Sequence, residues 1–196
     1  MSLDHGIHLL KYGKHQEAVD FFLELLYEDP LHLDAIMYTG IGYTEMGMQD
    51  EAVKALTFFT DRETERSEAW EGLGCAYYRT KRFAEAKECF SRALELSPDE
   101  NSVIRNLGLT CMVLQDEDKA YELLERAVSK DKKDYRSVYA LSNLCMRTQK
   151  FTEAETLLEG IKDDFFLPSD LKELVKSDYQ KLKSMIQLHN GFTKKA

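Results

Sequence analysis

Proline is scarce in this chain, with three in 196 residues. Pro30, Pro98 and Pro168 each stand at the end of a longer segment, so no candidate helix interior is interrupted. Runs of β-branched residues and apolar–polar alternation are missing, which excludes a strand-built fold. Ala, Leu, Glu and Lys fill the long segments instead. No apolar stretch approaches the length of a membrane span, and the N-terminus lacks a charged segment followed by an apolar core. Membrane insertion is therefore not expected. Basic residues are outnumbered, with 26 Lys and Arg against 35 Asp and Glu and a net charge of −9. Phosphate backbones and acidic membrane surfaces are gripped by dense Lys and Arg, so neither is an expected partner.

Signatures of chemistry are also missing. The four cysteines, Cys75, Cys89, Cys111 and Cys145, form no C-x-x-C pair and match no zinc spacing. They read as small buried apolar residues in a reducing compartment, which favours a cytoplasmic setting. A periplasmic one becomes possible if Met1-Ser2-Leu3 heads a trimmed piece of a longer protein. There is no G-x-S-x-G elbow, phosphate-cradling glycine loop or H-E-x-x-H. His5 and His8 lie three apart near Asp4 but lack a third ligand, so they read as solvated side chains. No enzyme, cofactor or metal is expected.

What the chain does have is a period. Ala18, Ala52, Ala86, Ala120 and Ala154 stand 34 residues apart, and Gly6, Gly40, Gly74 and Gly108 precede the first four by twelve. Recurrence at this length marks a stacked array in which each unit buries its apolar face against its neighbours. The units run over about 1–32, 33–66, 67–100, 101–134 and 135–168 in a single array over 1–189. The third unit is the clearest. Trp70, Leu73, Gly74 and Tyr77 share one face of a first helix from about Ser67 to Thr80, with Ser67 as its N-cap. After a turn at Thr80-Lys81-Arg82, a second helix turns Phe83, Ala86, Phe90, Ala93 and Leu94 inward and ends at Ser97-Pro98. Gly74 is expected to face Ala86, letting the two antiparallel helices approach closely. After Pro168, the spacing of Leu171, Leu174, Val175, Leu182, Met185 and Ile186 predicts an amphipathic capping helix over about 169–189, with Ser169 or Asp170 as N-cap and a frayed tail over 190–196.

Trp70, Leu73, Gly74, Tyr77, Ala86, Phe90, Ala93 and Pro98 fill, in order, the signature positions of the tetratricopeptide repeat, which this chain resembles over nearly its whole length. The other units keep parts of the pattern. Cys111 stands in place of the tyrosine in the fourth, and Ser142 replaces the glycine in the fifth. The resemblance implies an all-α fold, a right-handed α-solenoid of five helical hairpins closed by the C-terminal helix. It also implies a concave groove lined by the first helices. Carried onto this chain, the groove-facing set is Met37, Ile41, Tyr78, Arg79, Arg105, Leu109, Met112, Arg136, Tyr139, Asn143, Met146 and Arg147, with Asp34, Glu45, Glu68, Glu71 and Cys75 beside them.

That face is rich in methionine and apolar residues, as interaction sites are. Its acids lie early in the chain and its arginines late. Arginine grips carboxylates through a bidentate fork, so a partner segment of apolar and acidic character is the expected ligand. A subset of the family clamps chaperone C-termini with lysines and asparagines. The corresponding positions here hold Leu3, Ile7, Glu68 and Gly72, so that role is not implied. The functional expectation is a non-catalytic scaffold binding a peptide segment of another protein. Its alternatives are a secretion or assembly chaperone that shields a client, and a self-assembly module joined weakly through the C-terminal helix.

Overall fold

The computed structural model describes residues 2–193, with side chains through 187. Among them it has eleven helices and no strand. The helices are α1 (Leu3–Lys11), α2 (His15–Glu28), α3 (Leu33–Met46), α4 (Gln49–Thr60), α5 (Ser67–Arg79), α6 (Phe83–Leu96), α7 (Asn101–Val113), α8 (Glu117–Lys130), α9 (Tyr135–Arg147), α10 (Phe151–Ile161) and α11 (Ser169–Thr193). They gather into two compact units, one up to Thr110 and the other from Cys111 on.

The turn inside each hairpin follows the same 34-residue period as the alanines. Gly13, Gly47, Lys81, Gln115 and Gln149 all have φ between 61° and 80°. After each of them the next N–H reaches five residues back, as Lys14 N to Leu9 O (3.0 Å), Arg82 N to Tyr77 O (2.9 Å) and Lys150 N to Cys145 O (2.8 Å) do. This pair of features ends a helix by turning one residue left-handed and satisfying its last carbonyls. Glycine takes that conformation without cost, and the first two turns use it. The other three place Lys or Gln there against a Cβ penalty.

Within the first unit the core is built from the periodic positions. Ala18, Ala52 and Ala86 are fully enclosed, together with Phe22, Leu56 and Phe90. The glycines meet those larger side chains rather than the alanines. A Cβ on Gly74 would fall 2.7 Å from Cε1 of Phe90, and one on Gly40 2.6 Å from Cγ of Leu56; Gly6 stands against Phe22 in the same way. The expected Gly74–Ala86 facing pair is therefore corrected. The glycine leaves room for the large residue sixteen positions on, because that residue's length carries it across the gap between the helices.

In the second unit Ala120, Leu124, Ala154 and Leu158 are likewise fully enclosed. Ser142, at the glycine's place, is buried and donates its hydroxyl to Tyr139 O at 2.7 Å, so its polar atom is satisfied within its own helix. The helix α11 turns Leu171, Val175 and Leu182 inward against α9 and α10.

Two boundary expectations are revised. Ser67 is the first residue of α5 rather than its N-cap, and its hydroxyl accepts from Ser97 Oγ at 2.8 Å. Ser169 likewise begins α11, in whose first turn the N–H groups of Leu171 and Lys172 reach Pro168 O. That helix continues past His189 to Thr193, since one glycine at 191 costs a helix about 1 kcal/mol and does not stop it. Residues 194–196 of the expected tail lie outside the described residues.

Candidate interaction surface

In the first unit α3 and α5 lie side by side, and the residues they present together enclose an open recess of about 300 Å³. Ile41, Thr44 and Glu45 come from α3, and Glu68, Glu71, Gly72 and Cys75 from α5. Five of these belong to the face read from the sequence: Ile41, Glu45, Glu68, Glu71 and Cys75. Gly72 makes the recess possible. A Cβ there would sit 3.2 Å from Cγ1 of Ile41 and 3.3 Å from Cδ1 of Leu56, so the bare backbone lets the helices close and forms an apolar floor.

Carboxylates stand around that floor, each with a neighbour. Glu45 meets the Arg79 guanidinium at 3.4 Å, and Glu68 meets Arg66 at 3.5 Å. Glu71 accepts from Asn106 Nδ2 at 3.1 Å. Burial pushes the Glu71 carboxyl above its ordinary range. Glu100 pushes the same way, while hydrogen bonds from Ser102 and Asn106 and the charge of Arg105 pull it back. Burial, reinforced by Glu71, raises the Cys75 thiol to about 12. Burial raises Cys89 and Cys145 to about 12 as well, so at neutral pH all three remain thiols and none is a ready nucleophile.

Met37 does not line this surface. It is fully enclosed in a core cluster with Ile36, Leu56, Phe59, Ala69, Leu73 and Cys89. Since α3 packs against both α4 and α5, the residue pointing between those neighbours is shut in. Tyr78 leans away from the recess, with its ring edge-on to Phe83 of α6 at 5.2 Å. Arg105 and Leu109 are partly buried on α7.

In the second unit the predicted residues fall on α9 and the end of α7, and several are tied within the chain. Arg136 pairs with Asp170 at 2.9 Å, and the Tyr139 hydroxyl donates to Asp178 Oδ2 at 2.7 Å, both acids belonging to α11. Burial raises the Tyr139 phenol and the Asp178 charge adds to this, while a hydrogen bond from Asn143 opposes it. Met112, Asn143 and Met146 are partly buried. Arg147 pairs with Glu117 at 3.0 Å and donates to Met112 O at 3.3 Å.

Arg79 does the same in the first unit, donating to Thr44 O beside its pair with Glu45. Both arginines reach a carbonyl 35 residues back, at the end of the preceding first helix, where carbonyls lack intrahelical partners. This shared device was not read from the sequence. The recurrence of Arg at 79 and 147, two periods apart, was the available signal. The arginines expected to await an acidic ligand are thus paired inside the chain at Arg79, Arg136 and Arg147. All three pairs are solvent-exposed, and such pairs are worth about 0–1 kcal/mol each, so they exchange readily.

No grouping of three His, Cys, Asp or Glu able to hold a metal occurs among the described residues. His5 and His8 rest against Phe21 and Tyr12 respectively.

Two family models, both described as tetratricopeptide repeat, match residues 67–100 and 114–177, together half of the chain. Lipopolysaccharide assembly protein B of Escherichia coli (strain K12) is 24% identical, over 90% of this chain and 57% of its own length. BBSome complex member BBS4 of Bos taurus is 26% identical over 63% of this chain and 24% of its own. The chain thus spans from about a quarter to just over half of these two relatives. Among solved structures, TTC0263, a thermophilic TPR protein in Thermus thermophilus, matches with a TM-score of 0.71 at 19% identity, covering 92% of this chain and 96% of that one. MamA matches with a TM-score of 0.69 at 22% identity, covering 80% and 92%. These likenesses are of fold, and they agree with the α-solenoid class read from the sequence.

Proposed function

This chain belongs to the tetratricopeptide repeat family, whose members bind other proteins, and from that premise we propose that it holds a peptide segment of a partner along the first helices of its repeats. The α3–α5 recess carries this reading. It combines an apolar floor at Ile41, Gly72 and Cys75 with a charged rim, the composition of a site that anchors one side chain and orients the rest. Acidic residues of the segment meet Arg105, Arg136 and Arg147, exchanging with the contacts these arginines make within the chain. The four cysteines are in no disulfide, which favours a cytoplasmic setting for this work.

An assembly role is a second reading, favoured by the match to a relative named for lipopolysaccharide assembly over nine-tenths of this chain. There the bound segment belongs to a client kept from aggregating.

The test is affinity capture with the tagged chain, comparing wild type with R105E/R136E and identifying the retained proteins by mass spectrometry. The expected result is a partner retained by wild type and lost by the variant. A partner held equally by both sinks the groove account.

A further inference from the structure

The outer face of α2 departs from the period that governs the rest of the chain. Tyr27 is 90% exposed and Leu31, in the corner before α3, is 68% exposed, while Leu23 stands one turn before Tyr27 on the same face. The next hairpin places Asp61 and Glu65 at the positions of Tyr27 and Leu31, and the one after it Glu95 and Asp99. Asp61 and Glu65 remain exposed although α3 packs on α2 and α4 on α5. Stacking therefore leaves these positions open to water, and a further hairpin ahead of α1 would not cover them. The array has no use for apolar side chains there, whereas interfaces do. The corner is ordered, with Leu31 N–H donating to Asp29 Oδ1 at 3.2 Å and His32 N–H to Asp29 O at 3.1 Å. Beside Leu23 and Tyr27 runs an acidic row of Asp20, Glu24 and Glu28, each exposed and four residues from the next. Glu24 and Glu28 pair with no lysine or arginine among the described residues, and Asp20 accepts from the neutral amide of Gln16 at 2.9 Å. Past the end of α2, Leu31 borders a recess of about 490 Å³ shared with Leu33 and Phe59, where the carboxylates of Asp29, Asp34 and Glu63 outnumber the guanidinium of Arg66.

We propose that this face docks a basic amphipathic helix of a partner protein, laid along α2. Its apolar row covers Leu23, Tyr27 and Leu31, and its lysines or arginines meet Glu24 and Glu28. Charge selects this occupant. Carboxylates with no counter-ion in their own chain attract cations and repel an acidic segment of the kind proposed for the first helices. The α2 face of a second copy carries the same acids, so like faces do not pair. Spacing selects a helix, because two neighbouring rows with a four-residue step match the rows on a facing helix. Tyr27 supplies the aromatic anchor that such contacts favour. At the corner the partner reaches the acidic recess, whose Arg66 is already paired with Asp34 at 3.0 Å. This surface shares no residue with the α3–α5 recess, so the two are occupied independently.

The probe is a fluorescein-labelled synthetic helix with one row of Leu and one of Lys at i, i+4 spacing, followed by fluorescence anisotropy. A matching helix with Glu in place of Lys is the control. Wild type is expected to bind the Lys helix, with amide-exchange protection in α2, and to ignore the Glu helix. Y27S/L31S, which leaves net charge unchanged, and E24K/E28K are each expected to weaken binding about tenfold or more. D61K/E95K changes the charge by as much on the same face of the next two hairpins and is expected to bind nearly as wild type does. All of these positions are exposed, so the fold is untouched. Wild type that fails to bind the Lys helix overturns the proposal. So does full binding by Y27S/L31S, or equal weakening by E24K/E28K and D61K/E95K, which would reduce the attraction to overall acidity. Wild type alone that sediments faster with rising concentration, an effect lost in Y27S/L31S, gives the face to a second copy and overturns it too. R105E/R136E is expected to bind the Lys helix as wild type does, so failure of the groove reading and failure of this one are seen separately.

Discussion

Two first helices, α5 in the first unit and α9 in the second, occupy equivalent places 68 residues apart and carry different side chains there. Glu71 corresponds to Tyr139, Gly72 to Ala140, Cys75 to Asn143 and Gly74 to Ser142. Around α5, short and partly buried residues leave the recess beside α3 open. Around α9, longer polar groups fasten the chain to itself, with Arg136 and Tyr139 held by acids of α11. One frame therefore supports two kinds of surface. Where small residues hollow it out, apolar floor is available to a partner. Where phenol and guanidinium groups reach across, the same positions secure a terminal helix.

Exchanging the small residues tests the packing side of this comparison most severely. Gly74→Ser puts a Cβ within 2.7 Å of the enclosed Phe90 ring and is expected to cost about 1–3 kcal/mol by overpacking. Ser142→Gly, at the equivalent position, relieves no clash and is expected to cost no more than about 1 kcal/mol, the helix penalty of glycine. Urea unfolding of the two variants measures the asymmetry. Equal losses would show that the two hairpins pack alike and that the glycine is incidental.

The polar side is tested by Tyr139→Phe, which keeps the ring and removes the donor to Asp178. The expected loss is about 0.5–1.5 kcal/mol, seen as faster amide exchange in α11 with α3 and α5 unchanged. Unaltered exchange in α11 would mean that its apolar stripe of Leu171, Val175 and Leu182 alone holds it.

The packed face was legible from the sequence because it repeats. Ala18, Ala52, Ala86, Ala120 and Ala154 sit at identical depths, so their spacing alone reported both the hairpins and their boundaries. The glycines were assigned the wrong neighbour, since a period gives positions along a helix but not how far a side chain such as Phe90 reaches. The interaction face resisted for a different reason. Its residues vary from repeat to repeat, and a single step of rotation separates the enclosed Met37 from a surface position. The recess needed Gly72, which is not a periodic glycine and carried no signal of its own. The turns were half visible. Gly13 and Gly47 announce them, whereas Lys81, Gln115 and Gln149 adopt the same left-handed backbone without glycine's signature.

The smallest expected effect concerns the ionisation of the recess. Burial is the largest influence on Glu71 and disfavours its charged form, so its folded pKa lies above the unfolded value. The folded chain then holds this proton more tightly than the unfolded chain does, and stability falls as pH rises through the folded pKa. At neutral pH the ionised carboxylate is a net cost, despite the Asn106 hydrogen bond. Glu71→Gln keeps an oxygen for Asn106 and removes the charge, so its Tm at pH 7 is expected to exceed that of wild type. The difference should shrink as pH is lowered towards the ordinary carboxylate range, where wild type regains its proton in both states. If Glu71→Gln instead lowers the Tm at pH 7, the charge of Arg105 outweighs burial. The recess wall would then be an ion-paired surface like that of α9, and the contrast between the two faces would narrow to their shape.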